Sequence, residues 1–445
     1  MTDLIAWAER FIATPSESRL GNEAIARLAA ELLGTLGLPA RIESAVVAGT
    51  RHHAVICDVG PSPAGDGLLL VTHLDTVPPG DAASWTATGG DPFRATRDGD
   101  RLYGLGSADA KVDFVCKAHA LARVPRARRK RAVRLVGTFG EEVGLLGARW
   151  LVERGLARGF ANALVGEPSE LAAVHAHKGY AVFEARVALE RLDAAAPMHV
   201  ARRVLSGVAA HSSSPALGAN AIVAALETLA SSDSPGVCAL DGGTAVNVVP
   251  ERCALALVTK EAGDDLDAPA FGKAPLLHFL EAWRRFEVSL AEPRDPAFDP
   301  DRTVSSLGRV TLDGAHAVFR FDVRPIPGAP APEILVAPLR DAAEIRCVRA
   351  NPPLATPRDD AFVRAIEDAQ RAAGAPARRT TKATCTEAGL LSQAGLRALV
   401  LGPGPSVGNV HKPNEHTRIS ELHRAVELYR FVIERLVCGE GATCS

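Results

Sequence analysis

The 445-residue chain contains eight cysteines (Cys57, Cys116, Cys238, Cys253, Cys347, Cys385, Cys438 and Cys444) but no Cys-x-x-Cys pair. That spacing offers neither a zinc knuckle nor a disulfide framework, and most of these thiols are expected to be reduced and buried. No apolar run reaches the roughly 18 residues that a membrane span requires. Net charge is also scarce. A formal charge of -2 and a pI near 6.7 leave no overall field to draw nucleic acid or an anionic membrane surface. One local exception, Arg126-Ala-Arg-Arg-Lys-Arg131, falls between a helical and a strand pattern and reads as a solvated loop. The stretch Met1–Arg10 lacks a basic segment followed by an apolar one, so a cytoplasmic location is expected.

What is present is a chain with 47% hydrophobic residues, long enough for more than one core. Small-molecule chemistry is the favoured class. Helical periodicity over 4–11 and 24–36 alternates with β-rich runs at 54–59, 68–72, 132–138 and 163–166. The alternation predicts an α/β domain with a mostly parallel sheet and helices on both faces, two of them over 109–122 and 145–154. From 180 to 326 the order becomes strand, helix, paired strands, helix, paired strands. This predicts a small inserted α+β unit. The α/β pattern then resumes with a helix at 360–373 and a strand at 396–401. The expected division is a discontinuous domain, 1–179 and 327–445, around an insert at 180–326.

Glu141 and Glu142 stand side by side after the apolar run 132–139, between Gly140 and Gly144. Adjacent carboxylates repel unless something positive sits between them. A metal resolves the conflict if one carboxylate ligates it while the other handles a proton. His73-x-Asp75 also ends a strand candidate, where a carboxylate can fix the tautomer of a ligating imidazole, or the pair can be a structural histidine and a turn. Asp109 lies where a loop gives way to a helix and suits a carboxylate shared by two metals. The preceding Gly104-x-Gly106 lacks the third glycine and the strand of a dinucleotide loop. Glu167 ends the run before Pro168, and His411 follows the loop 402–405. Each residue alone could be a turn or cap. Their common position beyond strand ends points to one site.

In order, His73-Leu-Asp75, Gly106-Ser-Ala-Asp109-Ala-Lys111, Glu141-Glu142-Val-Gly144, Gly166-Glu-Pro168, Gly207-Val-Ala-Ala-His211-Ser-Ser, Asn247-Val-Val-Pro250, Asp322-Val-Arg324 and His411-Lys-Pro-Asn-Glu415 resemble the M20 family of dinuclear zinc amidohydrolases and peptidases. The resemblance covers nearly the whole chain. It implies two Zn2+ (or Co2+) ions per subunit, with Asp109 bridging, His73 and Glu167 on one ion, and Glu142 and His411 on the other. It also implies that Asp75 orients His73 and that Glu141 is the general base, taking a proton from the attacking water and giving it to the leaving amine. The insert becomes a ferredoxin-like lid and dimerisation domain of a homodimer. His211 would stabilise the oxyanion from the partner subunit, while Asn247 and Arg324 meet the substrate's carbonyl and carboxylate region.

The tract Cys385-Thr-Glu-Ala388 and the segments 298–308 and 398–404 resemble the deacetylase branch that acts on N2-acetyl-ornithine, with Glu387 placed to contact the side-chain amine. The reaction implied is hydrolysis of a small N-acyl amino acid in arginine biosynthesis. N-acetylcitrulline, N-acetyl-lysine, N-succinyl-diaminopimelate or a peptide are alternatives. A metal-free binding protein on the same fold is a different class, and no ligand is lost that would signal it. Leu105 and the pair Val112-Asp113 depart from the arginine and glycine common in the family, beside Asp109.

Overall fold

The computed structural model describes residues 3–192, 198–261, 263–266 and 268–438, which form two compact units. The first comprises Met1–His177, Leu354–Thr381 and Thr386–Ser445. At its centre the strand Gly67–His73 is buried at every position. A strand apolar on both sides requires cover on both faces. Leu68 and Leu70 join a core that includes Phe11, Phe114 and Leu422. Leu69 and Val71 join another with Leu151 and Leu391. The helices Leu4–Ile12, Glu23–Thr35, Lys111–Arg123, Ala361–Ala372 and Ile419–Val437 therefore share one core, and Leu146–Glu153 and Glu387–Gln393 the other.

Gly67–His73 pairs in parallel with Val133–Thr138 and with Phe160–Gly166, and Phe160–Gly166 pairs in parallel with Arg397–Val400. The expected parallel sheet is thus confined to the four central strands. Thr50–Val59 lies antiparallel to Val133–Thr138, and Arg41–Val47 pairs antiparallel beyond it. A two-residue turn joins these outer strands, with Ala48 at φ 49° and Gly49 at φ 84°, the left-handed geometry that suits a tight hairpin. Ala173–His177 and Leu354–Ala355 close the opposite edge, also antiparallel.

The basic run is not simply a solvated loop. Arg129 donates to the carbonyls of Leu121 (3.0 Å) and Val124 (2.7 Å), and Arg131 donates to that of Leu436 (2.8 Å). These cations satisfy carbonyls left open at two helix C-termini. Among the described residues no helix is long and apolar enough to cross a membrane.

The second unit comprises Lys178–Pro353 and Lys382–Cys385. It contains the β-α-β-β-α-β succession His199–Ser206, Ala221–Ser231, Gly236–Gly242, Arg252–Thr259, Ala274–Ser289 and Val304–Asp313. Its sheet is antiparallel and also includes Tyr180–Ala188, His316–Arg324 and Glu344–Asn351. Phe279 stacks on Phe319 with centroids 4.2 Å apart, and Trp283 meets Phe321 edge-on at 5.3 Å. The unit ends near 353 rather than 326 because Glu344–Asn351 pairs with Tyr180–Ala188. This edge strand is half exposed, with Asn351 its one buried position, so its sequence carries little of the apolar signal that identifies a buried strand.

Candidate metal centre

The parallel register brings the chemistry to one sheet edge. His73 ends the strand Gly67–His73, Glu141 and Glu142 follow Val133–Thr138, and Glu167 follows Phe160–Gly166. Asp109 lies just before the helix Lys111–Arg123. Its Oδ1 is 3.1 Å from His73 Nε2, and its Oδ2 is 3.1 Å from His411 Nε2. Glu167 Oε1 lies 3.7 Å from His73 Nε2, and Glu142 Oε1 lies 3.1 Å from His411 Nε2. One carboxylate therefore presents a separate oxygen to each of two histidine–carboxylate pairs.

These donors fit two zinc-sized ions. In each of the sets His73/Asp109/Glu167 and Asp109/Glu142/His411, the candidate ligand atoms lie within 4.8 Å of one another. A tetrahedral ion with bonds of about 2.1 Å places its ligands ~3.4 Å apart. A third set, His73 with Glu141 and Glu142, is equally compact, so proximity alone does not divide the doublet. Hydrogen bonding does separate its members: Glu142 is bonded to His411, whereas no side-chain hydrogen bond of Glu141 is found among the described residues.

The charges require a cation or protons. Burial, Glu167 and Glu142 push the Glu141 carboxyl well above its ordinary range, and burial and Asp109 raise Glu142. Asp109 moves the opposite way: burial opposes ionisation, but hydrogen bonds from His411 and His73 hold its carboxyl low. Against their own burial, these carboxylates raise both imidazoles, His411 to about 11. Cations held among these donors would supply the positive charge that the clustered carboxylates require.

Asp75 is placed differently from expectation. Its carboxylate Oδ1 is 3.8 Å from His73 Nδ1, beyond hydrogen-bond range, whereas its main-chain carbonyl lies 3.0 Å from that nitrogen. The carboxylate instead accepts from Ser18 Oγ (2.5 Å) and from the Glu142 backbone N–H (3.4 Å). Ser18 carries no local motif, so only the fold reveals it. Glu387 is fully buried, with the Thr138 side chain beside its carboxylate. Burial raises it to about 7. No part of this side chain is open to a substrate amine in this conformation.

His211, Asn247 and Arg324 belong to the second unit. The short strands Ala210–His211 and Val248–Val249 pair antiparallel, and Ser212 donates its N–H to the Asn247 carbonyl at 3.0 Å. His211 Nδ1 lies 2.7 Å from Ser213 Oγ and 3.2 Å from the Ser213 backbone nitrogen, so Ser213 holds the ring by that nitrogen. Arg324 is buried, and its Nε donates to Asp322 (3.1 Å) and Ser212 (3.2 Å) while its guanidinium lies 4.4 Å from the Tyr180 ring centre. Ser212 itself donates to Asp322. Arg324 Nη2 also donates to Ser212 (3.0 Å), so Nη1 is the guanidinium nitrogen without a hydrogen bond among the described residues. Ser212, part of the matched stretch at His211 but given no role there, joins these groups.

The model of peptidase family M20/M25/M40 matches residues 69–435. An acetylornithine deacetylase from Yersinia pseudotuberculosis is 34% identical over 222 residues, which is 47% of this chain and 50% of that one. The match thus spans about half the length of the relative. An aminoacylhistidine dipeptidase from Vibrio alginolyticus has a similar fold, with TM-score 0.67 and 16% identity over 96% of both chains. An M20 family metallo-carboxypeptidase from Sulfolobus solfataricus gives TM-score 0.63 and 18% identity over 98% of this chain and 99% of that one.

Proposed function

The chain belongs to peptidase family M20/M25/M40, and on that premise we propose that it is a dinuclear metal hydrolase that cleaves the amide bond of an N-acyl amino acid, with N2-acetyl-ornithine as substrate. The observation that carries the reaction class is Asp109, with one oxygen 3.1 Å from His73 and the other 3.1 Å from His411. His73 and Glu167 would hold one ion, Glu142 and His411 the other, and Asp109 both. Two Zn2+ or Co2+ ions bound there would polarise the scissile carbonyl and acidify the attacking water.

Glu141 takes the proton from that water and delivers it to the amide nitrogen as the C–N bond breaks, giving a carboxylate and an amine. His211 serves the developing oxyanion in a homodimer. Asn247 and the free Nη1 of Arg324 meet the substrate's carbonyl and carboxylate. The choice of ornithine rests on the likeness to acetylornithine deacetylase, because Glu387 is sealed from solvent. A cytoplasmic step in arginine biosynthesis accords with that substrate.

The test is kcat/KM for N2-acetyl-ornithine, N-acetylcitrulline, N-acetyl-lysine and N-succinyl-diaminopimelate, with zinc or cobalt supplied. Acetyl-ornithine is expected to lead by about tenfold or more. A higher value for another member reassigns the substrate. No hydrolysis of any, with fewer than one ion bound per chain, overturns the reading.

A further inference from the structure

Glu415 closes the segment that begins with His411, yet it has no part in the reaction above. Its side chain is buried, and its Oε1 accepts three backbone N–H groups: Gly106 (3.0 Å), Ala108 (2.9 Å) and Asp109 (3.0 Å). Its main-chain carbonyl accepts a fourth, from Gly104 at 2.9 Å. The strand His416–Arg418 pairs with Arg101–Tyr103, placing His416 opposite Tyr103. That pairing delivers Glu415 to the turn leading into Asp109. Three N–H groups converging on one carboxyl oxygen form a nest.

The turn has little room to adopt another shape. Gly106 has φ +83°, and a Cβ there would lie 2.2 Å from Lys111 Cε. A Cβ on Gly404 would come within 2.8 Å of Ala108 Cβ. Buried Lys111 is turned toward the Thr14 carbonyl at 3.0 Å, so the turn's own N–H groups are the direct partners of the Glu415 carboxylate.

We propose that Glu415 is a positioning residue that locks the 104–109 turn, so that Asp109 keeps one oxygen toward His73 and the other toward His411. Because Glu415 and His411 share one segment, the same contact sets the separation of two of the five ligands. The inference rests on the dinuclear reading. It differs from a purely structural role, which would lower stability and leave metal affinity alone.

The test uses the full chain stripped with a chelator, then titrated with Zn2+ against a chromophoric competitor and with Co2+ by visible absorption. Glu415→Gln is expected to bind metal ~10–100-fold more weakly and to shift the Co2+ ligand-field bands. Its KM should stay within about twofold at saturating metal, with lost rate recovered by excess metal. Wild-type affinity and spectrum in a Glu415→Gln protein, whatever its melting temperature, overturn the inference. If Glu415→Gln does not fold, Glu415→Asp keeps the charge but retracts it by one methylene, and unchanged affinity there is equally decisive. Wild-type protein that binds no metal overturns the underlying reading instead.

Discussion

His73 Nδ1 meets the main-chain carbonyl of Asp75 at 3.0 Å, while the Asp75 carboxylate stands 3.8 Å away. The carbonyl fixes the tautomer that leaves Nε2 toward Asp109, a task usually given to a carboxylate. Asp75→Asn retains that carbonyl and loses only the nearby charge and part of the contact to Ser18. The expected fall in metal affinity is under ~10-fold, at the low end of what loss of a histidine-orienting carboxylate produces. A competition titration with Zn2+ decides it, and a loss near 100-fold would mean that the charge itself does the orienting.

Glu141 is the member of the carboxylate pair without a side-chain hydrogen bond among the described residues, whereas Glu142 is tied to His411 at 3.1 Å. Glu141→Gln is therefore expected to fold and to bind two ions, with kcat reduced by ~10²–10⁴ and KM little changed. Glu142→Gln should lose metal first and activity as a consequence. The reverse pattern, with metal lost in Glu141→Gln and retained in Glu142→Gln, would exchange the two roles.

Three of the five metal-ligand candidates, His73, Glu142 and Glu167, were legible because they end or follow buried strands that a parallel order carries to one edge, whereas Asp109 and His411 lie in loops and were read from the family resemblance. The strand Gly67–His73 is a clear instance, with every position buried. Glu344–Asn351 was not legible, since a half-exposed edge strand has no apolar pattern to read. Ser18 and Ser212 act through contacts across 57 and 110 residues of chain, to Asp75 and Asp322. Short polar side chains with distant partners leave no local periodicity. Glu387 was assigned to the substrate from its neighbours in sequence, but burial is a tertiary property and places it out of contact with solvent.

His119 provides a pH dependence away from the metal centre. It is 5% exposed with Nε2 unbonded, and burial followed by the charge of Arg123 lowers its pKa to about 4. The unfolded chain binds this proton first as pH falls. The stabilising effect of a neutral His119 is therefore complete above its ordinary value near 6.5 and is lost between about 6.5 and 4, amounting to ~3 kcal/mol. Chelated His119→Gln protein should lose less stability over that interval than the chelated parent, as read by urea denaturation at pH 7, 5.5 and 4.5. Parallel losses would assign the acid sensitivity elsewhere.

Lys117 and Asp113 form an ion pair 2.8 Å long in which both side chains are almost wholly buried. Asp113 is half of the Val112-Asp113 departure from the family pattern, and Lys117, one helical turn later, is the partner that makes a charge tolerable there. Lys117 also donates to the carbonyls of Val71 (2.8 Å) and Leu164 (3.3 Å), and Tyr429 donates to Asp113. The pair therefore joins two parallel strands just before His73 and Glu167. A Cβ on Gly166 would lie 1.8 Å from Asp113 Oδ2, so glycine is required for the carboxylate to fit. Lys117→Met leaves Asp113 buried without its cation and is expected to destabilise the chain by about 3–5 kcal/mol. Adding Asp113→Asn removes the stranded charge and should recover a large part of that loss, because the penalty comes from the unpaired ion more than from the missing attraction. Urea denaturation of the two single variants and the double variant gives the coupling directly. A double variant no more stable than Lys117→Met would show that Lys117 acts through its strand carbonyls instead of through Asp113.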